Sequence, residues 1–477
     1  MKLKYRPGDF QVREVFSFDE DPAGEFYVHR LRKEKVDTLQ ALDRIALHGD
    51  VAREDIAYAG LKDRQGVTEQ YLSIKGSKVE FRDPDLKLTY VGRSATPVTS
   101  KMSDGNQFTI VVRDLGTDEV VRMRRNKTSL ISQGLPNYFD DQRFGSLQQG
   151  QGLILMPLYK GRPDLALKQL LATPSMKDNI RGGDQKLREL LNQYWGDWQV
   201  CKDIARGPMY RSIFEHLLRF PSDFMGALER VPMRLKLIHL YSFQSALWNR
   251  AVSRYIGYST QGSFKMPSLN GPLAYWRYLD EDQHEQLGDK ELELIAPGTQ
   301  CADQLFRRTV QNVLQEMGLE QDELRVGIKG MSLKEEMRRL ILKPQDFSID
   351  GPEPDEAHKG RFKATLRFQL PRGSYATLVV KRLFAEARIP RSQHGIGGDG
   401  GPRPRGRAAA GQSSHDRGRR EDRVAHEGAG RSPRGDRGGY QGGRRDDRQD
   451  RGGYQGRDQG RDRDQGRGGY QGGRRDD

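Results

Sequence analysis

The sequence predicts an α+β protein with strands at both ends of the folded part, helices between them, and a tail that stays disordered. Three observations carry this. Strand-like alternation appears at Phe10–Arg13 and again from residue 361; apolar residues at helical spacing mark 152–345; and from about residue 393 Gly, Arg, Asp and Gln displace nearly everything apolar.

Each element has a local reason. Phe10 and Val12 alternate with Gln11 and Arg13, as on a strand with one buried face. Thr38–Leu47 places Leu39, Leu42, Ile45 and Ala46 at helical spacing after a cap at Asp37 or Thr38. Phe108, Ile110 and Val112 mark a strand over Asn106–Arg113, and Val120–Leu130 a charged helix. In the middle, Pro163-Asp164 opens a helix with residues a first turn favours. Leu187–Tyr194, Leu235–Tyr255 and Gln304–Met317 carry the same periodicity. Strand character returns over 361–382, where Phe362, Ala364, Leu366, Phe368 and Leu370 alternate with polar residues before the turn Pro371-Arg372-Gly373 leads into a further segment.

The tail repeats Arg-Gly-Gly-Tyr-Gln-Gly at Arg437–Gly442, Arg451–Gly456 and Arg467–Gly472. From Gln393 onward 20 Arg face 14 acids, so +6 of the chain's +14 lies there and +8 remains on the body. With so little to bury, this segment cannot offset its ordering entropy.

At 477 residues the chain has room for two folded domains and more. The positive charge suits a polyanion such as nucleic acid. Cys201 and Cys301 lie far apart, outside any zinc-site or disulfide-framework spacing, which points to a reducing cytoplasm. No signal peptide is visible, and no apolar run approaches the ~18 residues of a membrane span. Phosphate-loop glycines, metal-ligand histidine spacing and a Ser/His/Asp arrangement do not stand out either.

The densest chemistry lies at Tyr58-Ala-Gly60-Leu-Lys62-Asp63-Arg64-Gln-Gly-Val-Thr68-Glu-Gln70. One carboxylate sits between two cations, after a short apolar run and a glycine suited to a strand-to-loop turn. An unperturbed Asp titrates near ~3.9, so Asp63 is expected to be ionised at neutral pH, with the flanking cations holding it so or meeting a phosphate.

This stretch resembles the signature of the TruD family of tRNA pseudouridine synthases, roughly Ala-Gly-x-Lys-Asp-x-x-x-x-Thr-x-Gln. Pro136-Asn137-Tyr-Phe139-Asp-Asp-Gln142-Arg143-Phe144-Gly145 is similar to the family's second signature, and Gly373-Ser-Tyr375-Ala-Thr377 to its Gly-Ser-Phe-Ala-Thr motif, with tyrosine for phenylalanine. Asp9-Phe10-Gln-Val-Arg-Glu14 and His239-Leu-Tyr-Ser-Phe-Gln244-Ser-Ala-Leu-Trp-Asn249 match weaker elements. Asp37, where members often carry asparagine, and Lys101–Phe108, a variant of Leu-Lys-Gly-Asn-x-Phe, depart from the pattern. These departures are expected to alter RNA contacts more than chemistry.

The resemblance spans roughly residues 5–388 and implies a pseudouridine-synthase-like mixed α/β catalytic domain with an antiparallel sheet. Residues 1–151 and 346–392 would form it, 152–345 a helix-rich TRUD insertion domain, and 393–477 the disordered tail. The implied reaction is isomerisation of uridine to pseudouridine in tRNA, at uridine 13 of the D arm, without a cofactor or metal. It needs a carboxylate near the sugar C1′ and the base C6, and a base taken out of its stack.

Asp63 would be the catalytic aspartate. Lys62 would keep it ionised or contact phosphate. Phe139 and Tyr375 would stack on or wall in the uracil, and Asn137 would orient Asp63 or the uracil edge. Arg143 would hold phosphate or pin its loop, Lys33 would contact RNA, and Glu14 would hydrogen-bond a basic residue. The Arg-Gly-Gly tail would take up other RNAs. Two other classes compete. A non-catalytic RNA-binding or chaperone protein would not need Asp63, and a glycosidase would want two carboxylates flanking one bond.

Overall fold

The computed structural model describes residues 1–148, 150–174 and 182–386; the tail expectation for 393–477 lies outside them. A nine-stranded sheet joins the two ends of the described chain. Its strands are β1 (Phe10–Phe16), β2 (Phe26–Glu34), β3 (Ile56–Tyr58), β4 (Val67–Lys75), β5 (Phe81–Arg82), β6 (Leu86–Ser94), β7 (Ser103–Leu115), β14 (Gln345–Pro354) and β15 (Phe362–Pro371). Their order is β14-β15-β7-β1-β4-β2-β6-β5, with β3 also on β4.

The late strands return to the early ones because their apolar faces match. Leu366 stands opposite Ile110 and Phe368 opposite Phe108, with the two rings stacked 5.6 Å apart. Every pairing in this sheet is antiparallel except β1 with β4, which run parallel, so the sheet is mixed. Parallel neighbours need a long crossover, and β2, the helix α1 (Thr38–Gly49) and β3 supply it. That crossover ends in the Asp63 loop, between β3 and β4. Gly66 closes the loop, and a Cβ there would sit 2.2 Å from the Phe10 main-chain oxygen, so only glycine lets β4 come alongside β1. The freedom expected of Gly60 is not used: its φ is not in the left-handed region.

α1 starts as its sequence predicts, with the Asp37 carboxylate accepting the Leu39 N–H at 2.9 Å. Its buried Leu42 and Ile45 pack with Leu31, Leu72 and Ile74 of the sheet in one core cluster.

Between β7 and β14 lie α2 (Thr117–Gln133), α3 (Gly145–Gln148), α4 (Leu155–Tyr159), α5 (Pro163–Leu171), α6 (Gly182–Gln193), α7 (Trp198–Ile204), α8 (Pro208–Arg219), α9 (Phe224–Glu229), α10 (Met233–Ser259), α11 (Glu281–Gly288) and α12 (Gln304–Met317). Three small pairings tie them together: β8 (Leu135–Pro136) with β13 (Ile341–Leu342), β9 (Ser263–Met266) with β10 (Leu273–Trp276), and β11 (Glu291–Glu293) with β12 (Met337–Arg339). α10 runs through the second core, where Phe243, Leu247 and Trp248 are fully buried.

One expected strand is a helix. After β15 the Gly373–Thr377 motif opens α13 (Ala376–Leu383), although 361–382 reads as strand. Val379 and Val380 carry β preference, but the buried face Ala376, Val379, Val380 and Leu383 packs onto α2, and tertiary contact overrides propensity. Among the described residues no helix is long and apolar enough to cross a membrane.

Candidate active site

The Asp63 loop is held from below by buried polar groups. Lys33 is fully buried, and its ammonium donates to the main-chain oxygens of Val36 and Asp63 at 2.9 Å and of Lys62 at 3.5 Å. The expectation that Lys33 contacts RNA is corrected by this burial: it fastens the loop from inside. Thr38 Oγ1 accepts the Lys62 N–H at 3.1 Å, and Gln70 Nε2 donates to the Gly60 oxygen at 3.1 Å. Gln70 thus pins the loop's first residues, a physical reason for a glutamine at that place in the signature.

Lys62 points away from Asp63. Its ammonium meets Glu14 Oε1 at 2.5 Å, where the carboxylate side chain is fully buried and its other oxygen accepts the Tyr71 N–H at 2.8 Å. Glu14 therefore has its expected basic partner. The cation that reaches Asp63 is instead Lys4, which sequence reading did not single out; its ammonium donates to Asp63 Oδ2 and lies 4.3 Å from the centre of the Phe10 ring. Asp63 Oδ1 accepts the Gln65 N–H at 2.9 Å. Burial pushes the Asp63 pKa up, but Lys4, the Gln65 N–H and Lys33 outweigh it, so the carboxyl titrates below its usual range and is ionised at neutral pH. The only sequence cue to Lys4 is a basic residue shortly before the Asp9-Phe10 element.

Beside Asp63 opens a cavity of about 310 Å³, near the lower end of small-ligand pockets. Glu14, Lys62, Asn106, Gln142, Arg372 and Thr377 line it, and its aromatic walls are Phe10 and Phe108. Asn106 Oδ1 is buried with no hydrogen-bond partner among the described residues. Phe139 and Tyr375 do not line this cavity; they form an adjoining cluster, edge to face with ring centres 6.3 Å apart, and the neighbours of Tyr375, Ser374 and Ala376, are cavity residues.

That cluster is built around arginine. The Arg338 guanidinium sits 4.0 Å from the centre of the Phe139 ring, and that of Arg143 5.9 Å. Arg338 also donates to the Asn137 main-chain oxygen at 2.8 Å, to Asn137 Oδ1 at 2.9 Å and to the Gly373 oxygen at 3.2 Å. Asn137 is thereby turned toward β12, its Nδ2 donating to Arg339 O at 3.1 Å; it does not touch Asp63. Asn249 of α10 brackets Phe139, accepting its N–H at 2.9 Å and donating to its oxygen at 2.7 Å. Arg143 is pinned by α10 as well: Nε donates to Ser245 Oγ at 3.3 Å, and its main-chain oxygen accepts Ser242 Oγ at 2.7 Å. Asp140 ties the loop to α13 through Thr377 and Lys381. Arg338 was not legible in sequence, because no motif surrounds it.

A sheet that crosses over into a cation-held carboxylate loop, beside a small cavity on a basic chain, suits an enzyme that works on nucleic acid. Comparison with known proteins then narrows the class. Residues 1–383 match the family model described as tRNA pseudouridine synthase D (TruD), and the chain belongs to that family. It is 32% identical over 396 residues to "Probable tRNA pseudouridine synthase D 2" of Methanocaldococcus jannaschii, covering 80% of this chain and 92% of that one. It is 30% identical to the tRNA pseudouridine synthase D of Leptospira interrogans, covering 81% and 97%. The fold matches the crystal structure of a TruD protein from Methanosarcina mazei with a TM-score of 0.61 at 23% identity, over 80% of this chain and 93% of that one. The protein is a pseudouridine synthase of tRNA, an isomerase.

Proposed function

We propose that the chain converts uridine 13 in the D arm of tRNA to pseudouridine, with Asp63 as the catalytic carboxylate. The observation that supports this best is the ionised Asp63 on a loop clamped by Lys33, Thr38 and Gln70, facing a cavity of about 310 Å³. The reaction breaks N1–C1′, turns the uracil and forms C5–C1′; the proton lost from C5 is balanced by one gained at N1, so no oxidant or reductant enters.

An ionised carboxylate serves this without a separate base. Flipping the base out costs a few kcal/mol, which aromatic stacking worth about 1–3 kcal/mol helps offset. In this reading Phe139 and Tyr375 form the aromatic shelf beside the cavity, Asn106 offers its unpartnered Oδ1 to the uracil N3–H, Asn137 and Arg143 hold the Phe139 loop, and Lys62 anchors the Asp63 loop through Glu14. Residues 152–345 act as the insertion domain. The tail binds further RNA, and two unpaired, buried cysteines fit a cytoplasmic location. Incubation with unmodified tRNA transcripts, followed by mapping of pseudouridine, tests the proposal: modification at position 13 is expected, and its absence there with modification elsewhere removes the site assignment.

A further inference from the structure

α8 and α9 pack on α5 and α7, away from the sheet, and their outer side holds a cavity of about 360 Å³. Arg211, Arg219 and Arg230 line it, with Glu215 as the one carboxylate. Arg211, Glu215 and Arg219 are four residues apart, so they form one stripe on α8. Glu215 is already engaged by Lys202 at 3.0 Å, outside the cavity. Asp223 lies close by but is taken up by His216 at 2.8 Å and by the Gly226 N–H at 2.9 Å. Counting Lys202 and Asp223 with the lining, four cations face two satisfied acids. Among the described residues the side chains of Arg211 and Arg219 make no hydrogen bond and no ion pair; their charges act on Glu215 from a distance, and the donors of both guanidinium forks remain open on one face.

At the end of the stripe is Phe220, 56% exposed, the only phenylalanine among the exposed large apolar residues described. It caps α8, and its ring centre lies 5.2 Å from that of His216. Folding does not require a flat apolar face in water at that point. Guanidinium forks beside an open aromatic ring are what a nucleotide needs: phosphate takes the forks, and any base has a face to stack.

Resting on the reading of the chain as a tRNA enzyme, we infer that the α8–α9 pocket is a second RNA contact, remote in sequence from the Asp63 loop. It takes backbone phosphate on Arg211 and on Arg219, to either side of the Lys202-paired Glu215, and an unpaired base of the tRNA on Phe220. It holds substrate without touching the reacting uridine, so it sets affinity and leaves the chemical step alone.

The test uses the full chain, the double variant Arg211→Ala/Arg219→Ala, and Phe220→Ala, all at exposed positions, with melting temperature as the folding control. Pseudouridine formation on tRNA transcripts gives kcat and KM, and tRNA binding is measured against salt. Each variant is expected to raise KM and Kd about 5- to 20-fold with kcat at saturation unchanged. The double variant should also flatten the slope of log affinity against log salt by about 1 to 2. Unchanged KM, Kd and salt slope in well-folded variants overturns the inference, whatever other anion the pocket then holds. If the wild-type chain binds tRNA but forms no pseudouridine, the enzymatic reading fails, while the binding measurements still decide the pocket.

Discussion

The Arg338 guanidinium lies 4.0 Å from the centre of the Phe139 ring while its Nε donates to the Asn137 oxygen at 2.8 Å. One side chain thus clasps the Asn137–Phe139 loop to Gly373, and so to the turn that opens α13. Burial pushes its pKa down to about 10, so it is charged at neutral pH. Lysine would keep the charge but lose the planar fork. Arg338→Lys should therefore reduce kcat at least about tenfold, since about 1.4 kcal/mol of lost positioning suffices for that. Steady-state kinetics beside a thermal melt checks this: a melt lowered in step with activity per folded molecule unchanged would make Arg338 purely structural.

Phe139 carries a separable prediction. Phe139→Leu keeps apolar bulk against Trp248, whose ring lies 5.7 Å away, but removes the flat face. A stacking role implies a loss of about 1–3 kcal/mol in productive binding, read as kcat/KM. A lower melting temperature with kcat/KM intact would show that the ring only packs.

Asp63→Asn should abolish turnover and leave tRNA binding within a few-fold of wild type, because shape and the Gln65 contact survive while the charge is lost. Lys4→Met tests the same carboxylate more gently. Burial raises the Asp63 pKa and Lys4 is the largest influence holding it down, so removing Lys4 lets the pKa rise. The acid limb of kcat/KM should move to higher pH. An unmoved limb would mean that Asp63 is not the group being titrated.

What the sequence disclosed and what it withheld differ in range. α12 was legible over Gln304–Met317, and α1 from its Asp37 cap, because periodicity and capping are local. Asp63 stood out because its neighbours in the chain belong to one pattern. Lys4 reaches Asp63 across 59 residues, and Arg338 reaches Asn137 across 201, so no local pattern links them. Lys33 was misassigned for a related reason. A lysine on a strand looks solvated until the loop that buries it is in place. α13 was misread because its valines favour a strand and only packing on α2 decides otherwise.

Glu14 and Lys62 form a nearly dry ion pair, with the carboxylate side chain fully buried and the lysine side chain 10% exposed. Removing one charge strands the other, which typically costs about 3–5 kcal/mol, and less where a hydrogen bond survives. Glu14→Gln should therefore destabilise the chain by about 2–4 kcal/mol in denaturant unfolding. Glu14→Gln/Lys62→Met should recover part of that loss. Equal destabilisation by the single and double variants would show that the ion pair is not the cause.

Lys33 sets an alkaline limit. Burial pushes its pKa down from 10.5 to about 8, with Asp37 and Asp63 offsetting part of the shift. The protonated ammonium spans the oxygens of Val36, Lys62 and Asp63. A neutral amine has one donor fewer, so above pH 8 the Asp63 loop loses part of its clamp. The stability sign is opposite. Between about pH 8 and 10.5 the unfolded chain binds the proton that the folded chain has released, so Lys33 alone makes the fold more stable as pH rises there; below pH 8 both states hold the proton and its contribution is flat. kcat/KM should accordingly fall with a midpoint about pH 8 while the melting temperature holds. In Lys33→Met, activity should be low throughout and that limb absent. A wild-type activity loss that tracks the melting temperature, or a limb that persists in Lys33→Met, would assign the alkaline limit to another group.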